Sequence, residues 1–194
     1  MYSFESHITV KVDDRGIEYV EGVVNQHLQQ FKTKLITIGL GDVATHTMTS
    51  TTTVFESKDQ KFAYAFNETT SLIESQLQVL KSFNIEVDRV KLEACPKFIH
   101  DSGMGFFYVE IHVPCYTRNV DQFKSQFGLK WHRSSNEFKP GVTMLTWRGK
   151  ERIASTCNDI NYMIDQGICN PLVKRHYEYA IIDTNIGLDS EWLK

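Results

Sequence analysis

Ser3-Phe-Glu5-Ser-His7-Ile-Thr9-Val-Lys11-Val12 alternates residue by residue. Ser6, Ile8, Val10 and Val12 fall on one side and Glu5, His7, Thr9 and Lys11 on the other, the period of a strand with one face in a core. The centre of the string, Glu5-Ser-His7-Ile, returns as Glu110-Ile-His112-Val, again opening a strand-like stretch. A second echo sets Arg89-Val-Lys91-Leu-Glu93 against Lys174-Arg-His176-Tyr-Glu178. A repeat on the scale of a small domain predicts two similar units, and tandem units commonly hold their ligand between the copies.

Outward from these strings, the periodicity assigns the remaining elements. In the first half, Asp13-Asp14 caps a helix to about Gln30, with Ile17, Val20, Val24, Leu28 and Phe31 at helical spacing. Strands are expected at Lys34–Leu40 and at the threonine-rich Met48–Phe55, the latter reading as an edge strand. Ser71-Leu-Ile-Glu74 has the form of a capping box and starts a helix through Phe83, and Ile85–Glu93 is a fourth strand. The second half repeats the series with shorter connections. Strands fall at Phe106–Val113, Leu129–Arg133, Val142–Trp147 and Lys174–Ile182, and helices at Val120–Phe127 and from Thr156-Cys-Asn-Asp159 to Gly167.

The predicted fold is therefore α+β: two tandem ferredoxin-like β-α-β-β-α-β units related by a pseudo-two-fold axis. Residues 1–93 form the first unit, 94–105 a linker rich in turn formers, and 106–194 the second unit with a C-terminal tail. Within each unit the strand order is 4-1-3-2, and both helices cover one face of the sheet.

Bulk composition narrows the class. The chain has 194 residues, 41% hydrophobic and 23% charged, with a net charge of −3, so no global basic field points to long nucleic acid or an anionic membrane. No apolar run approaches the length of a membrane span, and the N-terminal residues lack a signal-peptide pattern. Cys95, Cys115, Cys157 and Cys169 show neither C-x-x-C spacing nor a dense framework and read as reduced thiols. A cytoplasmic protein is the expectation.

The outward faces of the first and last strands of each unit carry the candidate site. Adjacent antiparallel strands make their outward side chains cross-strand neighbours. Glu5, His7 and Thr9 then lie beside Lys91 and Glu93, and Tyr108, Glu110 and His112 beside His176 and Glu178. Two such faces brought together would line a cleft with histidine, carboxylate and cations, a mixture suited to acid–base work, phosphate or a divalent metal. No local motif such as H-E-x-x-H specifies a metal, and no cofactor is named by the sequence. Asp183-Thr-Asn185-Ile-Gly187-Leu-Asp189 opens like a calcium loop but has Gly at the fifth position and Lys194 at the twelfth, so it reads as a turn-rich closing segment.

Two family resemblances bear on function. His7-Ile-Thr9 resembles the H-x-T motif of the 2H phosphoesterases, which pair two related halves around a cleft. The resemblance implies that His7 with Thr9, and His112 in the second half, act on a phosphodiester. The second motif position reads His112-Val-Pro114 and lacks the hydroxyl. Gly103-Met-Gly-Phe-Phe-Tyr-Val-Glu110-Ile-His112 and Leu145-Thr-Trp-Arg148-Gly resemble strands of the CYTH triphosphate-tunnel enzymes. That likeness implies acidic and basic side chains holding a metal-bound triphosphate, although His stands where the family has its second Glu.

These readings give a main expectation and a rival. In the main one, the inter-repeat cleft binds or hydrolyses a nucleotide or other phosphorylated small molecule. His7, His112 and Thr9 are then catalytic, with Glu5, Glu110, Lys91, Glu93, Arg148, His176 and Glu178 contacting the ligand. In the rival, the chain is a non-catalytic regulatory module that binds a metabolite or a partner protein.

Overall fold

β1 (Tyr2–Lys11) follows the alternation of its sequence: Phe4, Ile8 and Val10 are sealed in a core while Lys11 is exposed. The computed structural model describes residues 1–40, 43–56, 61–127, 131–150, 161, 165 and 176–191. The chain divides into two units, Met1–Phe106 with Ala180–Leu188 and Phe107–Tyr179 with Asp189–Lys194.

In the first unit β1 is followed by α1 (Ile17–Val23), which passes into a π-helical turn at Val24–Leu28 and a 3-10 turn at Gln29–Phe31. Then come β2 (Lys34–Leu40), β3 (Val43–Phe55), α2 (Phe62–Ser82) and β4 (Val87–Ala94). The chain order is β-α-β-β-α-β and the strand order is β2-β3-β1-β4. β1 lies antiparallel to both neighbours, with Ile8 opposite Thr49 of β3 and His7 opposite Lys91 of β4. Val20, Val24 and Leu28 of the first helical segment and Ile73 and Leu80 of α2 close over Ile8, Val10 and Leu92. Each such fully buried side chain contributes about 1.5–3 kcal/mol.

Three local expectations are corrected here. Asp13 does not cap α1. It forms a turn instead, accepting the Arg15 backbone N–H at 3.0 Å, and Gly16, with φ of 81°, precedes the helix. α2 begins at Phe62, well before Ser71, because the buried stripe continues upstream through Ala65 and Thr69. The stripe escapes a hydrophobicity reading since it contains Thr69, whose Oγ1 donates to the Ala65 carbonyl at 2.8 Å, and Gln76, whose Nε2 donates to Thr51 Oγ1 at 3.2 Å. The threonine-rich strand is interior: β3 lies between β2 and β1, with Thr47, Thr49 and Thr51 buried.

The expected linker also holds structure. Pro96–Ser102 forms α3, with Pro96 at its first position and Gly103, at φ 63°, closing it through an N–H bond to the Ile99 carbonyl of 3.1 Å. The turn formers thus mark the two ends of a helix. Its Phe98 is fully buried against Phe4, with ring centroids 4.6 Å apart.

The second unit contains β5 (Tyr108–Tyr116), a 3-10 turn at Thr117–Asn119, α4 (Val120–Phe127), β6 (Trp131–Lys139), β7 (Val142–Gly149) and the start of β8 (His176–Asp183). Its strand order is β8-β5-β7-β6. Pro140-Gly141, with Gly141 at φ 77°, supplies the tight turn between β6 and β7. The helix expected from Thr156 lies outside the described residues apart from Asn161 and Asp165, both helical. Val109, Ile111, Val113 and Leu145 form the core with Val120, Trp131 and Trp147. The end of β8, from Ala180, belongs to the first unit and lies beside β4. Among the described residues no helix is long and apolar enough to cross a membrane.

Candidate functional site

The side of β5 opposite the core presents Glu110 and His112, and the antiparallel register puts Arg148 and Thr146 of β7 directly across from them. Arg148 Nε donates to Glu110 Oε1 at 2.7 Å, and its terminal Nη2 bonds the same oxygen. The guanidinium lies over the Tyr108 ring, 4.3 Å from the centroid. From the other flank Glu178 of β8 brings Oε2 to 3.1 Å from His112 Nε2, while Glu110 Oε2 stands 3.6 Å from the same nitrogen. His112 Nδ1 is 2.9 Å from Thr146 Oγ1.

Burial is uneven across this cluster. Glu110 is almost completely withdrawn from water, whereas the side chains of His112 and Glu178 are 24% and 17% exposed. Burial pulls the His112 imidazole toward the neutral form, but the carboxylates of Glu110 and Glu178 outweigh it and push the group up to about 10. The two carboxylates therefore favour the imidazolium form of the metal-free site. One oxygen of Glu110, one of Glu178 and His112 Nε2 all lie within 4.8 Å of one another, a spacing compatible with a shared cation.

The first unit carries a related cluster on β1 and β4. Glu5 lies opposite Glu93 and His7 opposite Lys91. His7 Nε2 is 3.0 Å from Glu93 Oε2, and Glu5 Oε1 accepts the Ser50 hydroxyl at 2.6 Å. The Lys91 ammonium is seated on the remaining oxygen of Glu93, with both side chains buried. Burial lowers the His7 imidazole, and the bond to Glu93 more than offsets it, so the group is raised above its ordinary value. His7 Nδ1 and Thr9 Oγ1 are buried with no hydrogen-bond partner among the described residues.

Each residue singled out in the sequence can thus be placed. Glu5, His7, Lys91 and Glu93 come together in the first unit, and Glu110, His112, Arg148 and Glu178 in the second. Thr9 is on the same face as His7 but fully buried, opposite Arg89. His176 begins β8, and its side chain lies outside those described. This polar face is mostly withdrawn from water: Thr9, Arg89, Lys91, Glu93 and Glu110 are all buried.

Two polar pairs and one threonine were not legible beforehand. Arg89 holds Asp183 in a buried two-point ion pair, Nε to Oδ1 at 2.9 Å and Nη2 to Oδ2 at 2.5 Å. Asp183 Oδ1 also accepts the Asn185 backbone N–H at 3.1 Å, so the acid of the closing segment serves as an anchor. His46 Nε2 lies 2.8 Å from Asp88 Oδ2. Thr146 was overlooked too, although its place two residues before Arg148 on a strand puts both on one face.

No family model matches the chain, and no curated protein matches it. Among solved structures, one assigned to a glycine cleavage system transcriptional repressor is 11% identical, covers 92% of this chain and 98% of its own, and has a TM-score of 0.31. At that score the likeness carries no argument about fold or function.

Proposed function

We propose that the chain is a non-catalytic module that binds a small polar metabolite, built on two copies of one β-α-β-β-α-β unit, with the polar face of the second unit as its contact surface. The observation that carries this reading is the saturation of His112. Nδ1 is committed to Thr146 and Nε2 to Glu178, so neither nitrogen is poised to take a proton from a substrate. A histidine held as a cation between two acids serves to position and recognise. Thr9 supports the same choice, since a hydroxyl buried on the sheet does not reach a phosphodiester.

The recognition elements are the parts of the cluster that water reaches. His112 and Glu178 present an imidazolium edge and a carboxylate, and Arg148 adds a guanidinium fixed by Glu110. Such a set reads polar functional groups on a ligand. Nucleotides, polyphosphates and small carboxylic acids are the classes to screen.

The test is a thermal-shift screen of those compounds, with and without EDTA, followed by product analysis on every hit. Binding at a ligand concentration of 100 times Kd stabilises the fold by about 2.7 kcal/mol. The expected result is a hit that is recovered chemically unchanged and lost in Arg148→Ala. Multiple turnover of any hit would overturn the reading in favour of an enzyme, and no hit in any class would overturn it outright.

A further inference from the structure

We propose that Glu110, His112 and Glu178 form a binding site for a first-row divalent cation of the Mn²⁺ or Zn²⁺ class. The inference rests on the reading of this face as a ligand-binding surface and names its first occupant.

Three potential ligand atoms lie close together on this face. A divalent ion of this class sits about 2.0–2.2 Å from imidazole nitrogen and carboxylate oxygen. His112 Nε2 lies 3.1 Å from Glu178 Oε2 and 3.6 Å from Glu110 Oε2, so small side-chain rotations bring the three atoms onto one ion, which displaces the Nε2 proton to solvent as it binds. The donors come from two strands, β5 and β8, which gives the site a rigid frame.

The residues around these ligands hold them in place. A metal-bound histidine generally uses its other ring nitrogen for a hydrogen bond that fixes its orientation, and Thr146 Oγ1 fills that role at Nδ1, 2.9 Å away. Arg148 holds Glu110 through Oε1 and so turns Oε2 toward His112. The guanidinium is thereby fixed at the far oxygen. One nitrogen and two carboxylate oxygens suit zinc or manganese better than soft copper or hard calcium. Further coordination positions would be left to water or to an anionic group of the metabolite, which Arg148 would help to neutralise.

The first unit is an internal control. It has the same Glu-x-His string and the same facing Glu, but there the Lys91 ammonium sits on Glu93. There the resident cation lies on the same carboxylate that holds His7, whereas in the second unit Arg148 lies on Glu110 and His112 is nearer to Glu178. At the position that the sequence echo pairs with Lys91, the second unit has His176.

The test uses the full chain stripped of metal with EDTA and then freed of chelator. Mn²⁺ binding is read by loss of the free-ion EPR signal, and Zn²⁺ binding by competition with a chromogenic chelator. One ion per chain is expected. Glu178→Gln, which keeps the side-chain shape, should weaken binding more than about 100-fold, and Thr146→Val about 10- to 100-fold. Circular dichroism confirms that each variant is folded, and His112→Gln repeats the test at a second ligand should Glu178→Gln misfold. Undiminished binding in the Glu178 and His112 variants would overturn the site. No binding of either ion at millimolar concentration, with a metabolite still bound in EDTA, would overturn the metal and leave the binding reading standing. Absence of both ion and metabolite binding would remove the two together.

Discussion

The polar clusters of the two units contain nearly the same residues and solve their charge problem differently. In the first, Glu5, His7 and Glu93 share the face with Lys91, whose ammonium is buried against Glu93. In the second, Glu110, His112 and Glu178 share it with Arg148, which approaches from β7 and takes the outer oxygen of Glu110. The lysine closes the first cluster on itself. The arginine holds one oxygen of Glu110, and one ligand atom each of Glu110, His112 and Glu178 lie within 4.8 Å of one another. Similar letters at matching positions therefore do not imply matching roles, because the position of one cation decides which cluster is self-contained.

The largest expected effect comes from removing the cation that closes the first cluster. Lys91→Met takes the ammonium away from the buried Glu93 carboxylate, which keeps His7 at 3.0 Å, and breaking a buried pair costs about 3–5 kcal/mol. Urea unfolding would measure it. Arg148→Met should cost less, since the Arg148 side chain is 19% exposed against 9% for Lys91. Equal losses in the two variants would erase the distinction between the clusters.

Gly149 tests the frame of the second cluster. A Cβ at this position would stand 2.5 Å from the Trp147 indole, which is itself packed in the core. Gly149→Ala should destabilise by about 1–3 kcal/mol through overpacking and shift the strand that carries Arg148 and Thr146. A thermal melt with unchanged midpoint would show that the indole yields freely.

The pH dependence of metal-free protein follows from the two histidines. Both have folded values raised above the ordinary imidazole value of about 6.5, His112 to about 10. A raised folded value stabilises fully below about pH 6.5, and that stability is lost as pH rises through the folded value. Unfolding free energy should therefore decline between about pH 6.5 and 10. His112→Gln should flatten the decline more than His7→Gln. Histidine NMR would show which ring titrates where, and a His112 midpoint near 6.5 would contradict the account of its carboxylate neighbours.

The smallest effects separate two threonines. Thr9 Oγ1 is buried without a hydrogen-bond partner among the described residues, so Thr9→Val should be neutral or mildly stabilising. Thr146 Oγ1 holds His112 Nδ1, and Thr146→Val should cost about 1 kcal/mol. A reversal of that order would place the working hydroxyl in the first unit.

Much of the layout was legible from period and repetition. The alternation in residues 3–12 placed Ile8 and Val10 in the core, and the echo at Glu110 and His112 located the second cluster. Cross-strand logic also brought Glu178 to His112. What could not be read depended on partners distant in sequence. The start of α2 was hidden because its buried stripe uses Thr69 and Gln76, which are acceptable in a core only when Thr51 and a backbone carbonyl satisfy them. The burial of Thr9, Arg89 and Glu93 was equally hidden, since period 2 says which residues share a face and not whether water reaches it. Arg89 found its partner in Asp183, in a segment that by itself reads only as a turn.

The central claim is that the second cluster receives a ligand ion and the first does not. Histidine-selective NMR of the full chain during addition of substoichiometric Mn²⁺ tests it directly, because the ion broadens nearby resonances. The account predicts that the His112 ring signals broaden first, while His7 stays sharp with its neighbours already balanced by Lys91. Broadening of His7 before His112, or of neither while exposed His100 broadens, would contradict it.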